Sequence, residues 1–183
     1  PVAYALCLLA SVSHADEASL IQQLASGAPA DRDAARQSLL VSATPAAVPQ
    51  LAAQLGNPDT FDNACFLLEA LRCPEADAAL SAALDRTAGR EQAGLLNALA
   101  RRQNSSATDK ALSLVSANDP VKSAALRYLC AVGDPTKMGK LPSPDAANAD
   151  ALLTFAARLA THDAKTANAR YDALYRATLP EHQ

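Results

Sequence analysis

The sequence predicts an all-α protein, an α-α superhelix of stacked antiparallel helix pairs, and three observations carry that expectation. Alanine supplies roughly a quarter of the 183 residues, far above its ordinary share; it is the best helix former and lets helices approach closely. Isoleucine, valine and phenylalanine, which strands favour, are sparse, and tryptophan is absent. The third observation is internal repetition. Pro45, Leu51 and Leu55 return 29 residues later as Pro74, Leu80 and Leu84, and Leu67, Leu68, Ala70 and Leu71 return 28 residues later as Leu95, Leu96, Ala98 and Leu99. Periods of roughly 20–50 residues mark arrays in which each unit buries its apolar face against the next.

The first segment stands apart from the array. Pro1 to Val12 is almost entirely apolar, and Ser13 and Ala15 occupy the −3 and −1 positions of a small-residue cleavage site just before Asp16-Glu17. Residues 1–15 therefore read as a signal peptide lacking its first residues, which places the mature chain in a periplasmic or secreted setting. Without that signal it is cytoplasmic. Cys7 makes no lipobox, because Leu6 stands where a small residue is needed. The remaining thiols, Cys65, Cys73 and Cys130, are odd in number, and Cys65 and Cys73 lie about two helical turns apart, ~12 Å along the axis, too far for a disulfide. They read as small core residues.

The array follows. Asp16–Ser26 is a lone leading helix, Ala30–Ala43 pairs with Pro45–Leu55, Pro58–Arg72 with Pro74–Arg86, and Arg90–Gln103 with Ser106–Ala117. Pro120–Val132 opens a fourth unit, in which Ser123 to Leu129 continues the repeat. Between helices stand Gly56-Asn57-Pro58, Asn118-Asp119-Pro120 and Gly133-Asp134-Pro135. In each, Gly or Asn can close one helix in the left-handed conformation, Asn57, Asp119 or Asp134 can cap the next, and proline loses nothing at the first helical position. Residues 136–144 are too rich in Pro and Gly for a full helix and read as a loop. Asp145–Ala160 and Thr166–Thr178 read as two further helices of a degenerate repeat within 145–183. Leu152, Leu153, Phe155, Ala156 and Leu159 form the expected buried side of the first, and Tyr171, Leu174 and Tyr175 that of the second.

An Ala/Leu helix, a Gly-Asp-Pro-like turn and a shorter Ala/Leu helix together resemble HEAT repeats of the short bacterial kind, an armadillo-like helical family. Ala124-Ala125-Leu126-Arg127-Tyr128-Leu129-Cys130-Ala131-Val132-Gly133-Asp134-Pro135 matches that pattern best, and the resemblance covers about residues 30 to 135. The Trp, Leu-Gly and Tyr signature of tetratricopeptide repeats is not met. The resemblance implies a solenoid spanning 16–135, with the second helix of each pair lining a concave side where protein partners bind. Carried over by position, it places Gln50, Gln54, Ser81, Asp85, Lys110 and Ser113 on that face.

The chemistry-bearing residues narrow the function classes. Net charge is −3 with acids and bases interspersed, so the basic stripe of a nucleic-acid binder is missing. No run reaches the ~20 apolar residues of a bilayer span. Lys137-Met138-Gly139-Lys140 lacks the frame of a phosphate-binding loop. No serine sits in a nucleophile elbow, and no second His stands four residues from His14, His162 or His182 to start a metal site. Asp16 with Glu17, Asp31 with Asp33, and Asp59 with Asp62 sit at helix starts, where acids favour the dipole. Asn104-Ser105-Ser106 matches a glycosylation sequon but reads more simply as a helix cap. Among enzymes resembling HEAT arrays, the alkylpurine DNA glycosylases rely on aromatics and a basic face, and the iron hydroxylases on His-Glu pairs. Neither set occurs here, and nothing singles out a chromophore pocket like that of phycobilin lyases. The sequence therefore predicts no enzyme, no metal and no cofactor, but an exported scaffold for protein–protein interaction with an unidentified protein partner. The alternative is an accessory module of a larger exported enzyme or cytochrome-like protein.

Overall fold

Proline marks the start of several helices, and at the 3-10 turn and α4 a capping side chain stands beside it. The computed structural model describes residues 14–134, 137, 148–161 and 163–178, and every regular element among them is helical. These are α1 (His14–Ser26), α2 (Pro29–Ser42), a 3-10 turn (Pro45–Ala47), α3 (Val48–Gln54), α4 (Pro58–Ala70), α5 (Pro74–Ala83), α6 (Gly89–Arg101), α7 (Thr108–Leu114), α8 (Val121–Val132), α9 (Ala149–Ala160) and α10 (Ala164–Thr178). The expected signal segment up to Ser13, the loop read over 136–144 apart from Lys137, His162, the side chain of Leu174 and the chain beyond Thr178 lie outside the described residues.

Proline occupies the first turn of α2, α3, α4 and α5, where its missing N–H costs nothing. Asn57 caps α4 as expected: its Oδ1 accepts the amide of Asp59 at 3.0 Å. Asp119 also caps, but from one position further out. Its carboxylate accepts the amide and hydroxyl of Ser123, chiefly the hydroxyl, and these bonds hold its pKa below the usual carboxylate range. Pro120 is thus the cap residue of α8 and not its first helical residue. The helix expected over Pro45–Leu55 is split. Pro49 has no N–H to return to Pro45, so the first turn stays 3-10 and the α-helix starts at Val48.

Helix closure also differs from expectation. The described residues with positive φ are Gly89 (58°) and Gln103 (56°), not Gly56, Asn118 or Gly133; Gly133 has φ −58° and ψ 153°. After α3 the chain turns through successive tight turns straight into Asn57, which is extended, so no left-handed residue is required. At the end of α6 the left-handed Gln103 lets Asn104 N–H reach Leu99 C=O and Gln103 N–H reach Ala100 C=O, both at 3.0 Å, the paired bonds of a Schellman closure. A side chain at this φ is strained, and glycine is not. Gln103→Gly is therefore expected to stabilise the fold by ~0.5–1 kcal/mol, read as a higher urea midpoint at unchanged slope.

The helices stack against near neighbours in sequence. α1 packs on α2, α3 and α4. α2 packs on α4, α4 on α6, α6 on α8, α8 on α9 and α9 on α10. α3 lies against α4 and α5, α5 against α4 and α6, and α7 against α8. Leucines fill the interior: Leu24, Leu39, Leu51, Leu67, Leu68, Leu80, Leu84, Leu95, Leu96 and Leu99 are all buried, joined by Tyr128 and Phe155. The last two helices correct the expected core. Leu152, Phe155, Ala156 and Leu159 define the buried stripe of α9, and Leu153, one step round the helix, is 44% exposed. Tyr175 is 66% exposed.

Candidate functional site

Buried polar groups are the first place to look for chemistry, and several of those among the described residues are committed to the turns. Thr60 Oγ1 donates to Gln54 C=O at 3.0 Å, closing the α3–α4 connection. Gln92 Nε2 donates to Leu84 C=O at 3.0 Å and closes α5–α6. Thr108 Oγ1 donates to Ser105 C=O, and Tyr128 O–H donates to Asn104 C=O at 2.9 Å while accepting Ala107 N–H at 3.1 Å. Glu17, in the first turn of α1, is buried and accepts both the amide and the hydroxyl of Thr44, so it fastens α1 to the start of the 3-10 turn. Its sequence position suggested a dipole role alone.

Two arginines tie one helix end to another. Arg102, with its side chain 4% exposed, bonds Asp77 and donates to the carbonyls of Leu68, Glu69, Leu71 and Cys73. It therefore closes the C-terminal end of α4, whose last carbonyls have no partners within the helix. Arg158 does similar work for α8, donating to Gly133 C=O at 2.5 Å. Burial lowers its pKa from the ordinary guanidinium value.

The residues read as a partner face lie on α3 (Gln50, Gln54), α5 (Ser81), just after α5 (Asp85) and α7 (Lys110, Ser113). Gln50, Asp85 and Ser113 are exposed, and Gln54, Ser81 and Lys110 half-exposed. The structure brings some of them together. Lys110 Nζ lies 2.7 Å from Asp85 Oδ1, and Ser81 Oγ lies 2.8 Å from Ser106 Oγ. Ser113 Oγ turns back to Lys110 C=O at 2.6 Å. Gln50 and Gln54 take no part in these bonds. The face is polar, small and internally neutral.

Sequence reasoning missed a second feature, a shallow groove of about 230 Å³ between α4 and α6. Phe61, Cys65, Phe66, Gly94 and Asn97 line it, with Asp62, Glu69 and Arg101 at its ends. Phe66 is 43% exposed, and the Arg36 guanidinium of α2 sits 5.6 Å from its ring centre. Gly94 makes room for Phe61: a Cβ there would stand 3.0 Å from the ring. Phe66 is continuous in sequence with Leu67 and Leu68, which masked its exposure; only its offset around the helix distinguished it.

Cys65, Cys73 and Cys130 are free thiols. The Cys65 thiol is pushed up to about 12, chiefly by burial and next by Glu69. Burial pushes Cys130 up to about 11. Both hold their protons more tightly folded than unfolded, where the value is near 9.0. The stability this gives is complete below pH 9 and is lost as pH rises from there toward 11–12. The melting temperature is therefore expected to fall through that window, and Cys65→Ala with Cys130→Ala to flatten the fall. Such thiols are poor nucleophiles, so among the three the half-exposed Cys73 should react first with a thiol reagent. No cluster of three or more metal-ligating side chains occurs among the described residues, and no described helix is long and apolar enough to cross a membrane.

Compared with protein-family models, with curated proteins and with solved structures, the chain matches none.

Proposed function

We propose that the chain is a non-catalytic α-solenoid of HEAT-like helix pairs that serves as a scaffold for a protein partner, and that it is exported. The observation that carries the reading is the order of packing. Helices α2, α4, α6 and α8 each touch the next in a row, and α3 touches α5 beside them. Each unit thus seals its neighbour, as in arrays that present an extended surface. Spending the buried Thr, Gln, Tyr and Arg groups on turn carbonyls supports a structural use for them over a catalytic one. Export rests on the apolar run before Asp16 and its small-residue cleavage pattern.

The α3–α5–α7 side is the proposed partner face. The test is capture of a partner from the exported fraction of the source cell by the immobilised full chain, repeated with Gln50→Arg and Gln54→Arg together and, separately, with Phe66→Ser. The reading expects capture to be lost with the glutamine changes and kept with Phe66→Ser. Loss with Phe66→Ser alone moves the partner site to the α4–α6 groove. Turnover of a substrate by the purified protein sinks the scaffold reading.

A further inference from the structure

Among the described residues, five ion pairs join one helix pair to the next, and these five run the same way. The acid belongs to the earlier unit and the base to the later one. Asp62 of α4 holds Arg90 of α6 at 2.6 Å, Glu69 of α4 holds Arg101 of α6 at 2.5 Å, and Asp77 of α5 holds Arg102 at 2.5 Å. Asp85 after α5 holds Lys110 of α7 at 2.7 Å, and Asp109 of α7 holds Lys137 at 2.8 Å. The partners lie 28, 32, 25, 25 and 28 residues apart, about one repeat length. Among these five, Asp77–Arg102 is the one with a buried base; in the other four at least one partner faces solvent.

We infer that these pairs form a polar clasp that makes the seating of successive helix pairs sensitive to ionic strength. Each exposed pair is individually weak and screened by salt, but they act at the same joints and on two sides of the array. Asp62–Arg90 and Glu69–Arg101 hold the α4–α6 joint, while Asp85–Lys110 holds the α5–α7 joint. Because acids always precede bases, a unit seated in the reverse direction meets like charge where it should meet opposite charge, so the pattern favours one direction of stacking. Below about 0.1 M salt the clasp is closed; well above it, screening leaves the joints to apolar packing and the turn latches. The inference stands on the ion pairs themselves and is independent of whether the α3–α5–α7 side binds a partner.

The test is amide hydrogen exchange of the full chain at fixed pH in about 20 mM and about 500 mM sodium chloride, where the screening length falls from well above to well below 10 Å. Exchange in α6 and α7 is expected to quicken about three- to tenfold with salt, while α1, which carries none of the five pairs, changes much less. The variant with Asp62→Asn, Glu69→Gln and Asp85→Asn is expected to exchange fast in α6 and α7 already at low salt and to lose most of the response. If α6 and α7 respond to salt no more than α1 in the unaltered protein, or if the triple variant keeps the full response, the clasp is refuted. The first comparison needs no variant and stands even if the triple change impairs folding.

Discussion

Replacing Arg102 by methionine is expected to destabilise the protein by about 3–5 kcal/mol, the cost of breaking a buried charge pair by removing one partner. The aliphatic volume is roughly kept, so the loss is one of bonds more than of packing. Arg102 is the donor to the carbonyls of Leu68, Glu69, Leu71 and Cys73 and the partner of Asp77. Without it, the end of α4 and the start of α5 keep acceptors in a site whose former occupant was 4% exposed. Arg102→Lys should recover only part of the loss, because a single ammonium has three donors and no planar fork to span five acceptors. Urea unfolding of the variants measures this directly. A cost under about 1 kcal/mol for the methionine variant would mean that water satisfies these carbonyls as well as the guanidinium does.

Tyr128→Phe is expected to cost about 2–3 kcal/mol, an unusually large price for one oxygen atom. The hydroxyl serves both sides of the α6–α7 connection, accepting Ala107 N–H and donating to Asn104 C=O. The ring is fully buried, so Phe fits the space while leaving a backbone donor and an acceptor without their partner. The same burial raises the Tyr128 pKa above its ordinary value. Its contribution is therefore complete up to about pH 10 and is lost as pH climbs through the raised value. Equilibrium unfolding at neutral pH gives the size of the effect. A cost of no more than a few tenths of a kcal/mol would mean that the hydroxyl is not the latch.

Both residues were visible in the sequence, but neither role was. Arg102 fell among the interspersed charges that no motif singled out, and Tyr128 in the Ala-Ala-Leu-Arg-Tyr-Leu run. Their partners lie 21 to 34 residues away, beyond any local rule. The same holds for Glu17 and Thr44, 27 residues apart. The inter-unit ion pairs left a trace, since Asp62 and Arg90 stand 28 residues apart, the repeat spacing itself. The exposed Phe66 left only its offset around the helix as a trace, masked because Phe66 adjoins two buried leucines.

By itself the sequence determined that the regular elements among the described residues are helical, where most helices start, and which leucine faces turn inward. Those follow from local propensity, proline placement and the spacing of apolar residues, all carried by a few consecutive positions. The tertiary structure decided how the helices end, that Gln103 and not a glycine closes α6, that Leu153 and Tyr175 stay outside the core, and which polar side chain latches which turn. It also decided that Asp85 and Lys110, expected separately on one face, are partners. Most of these depend on atoms that meet only when helices distant in sequence pack together.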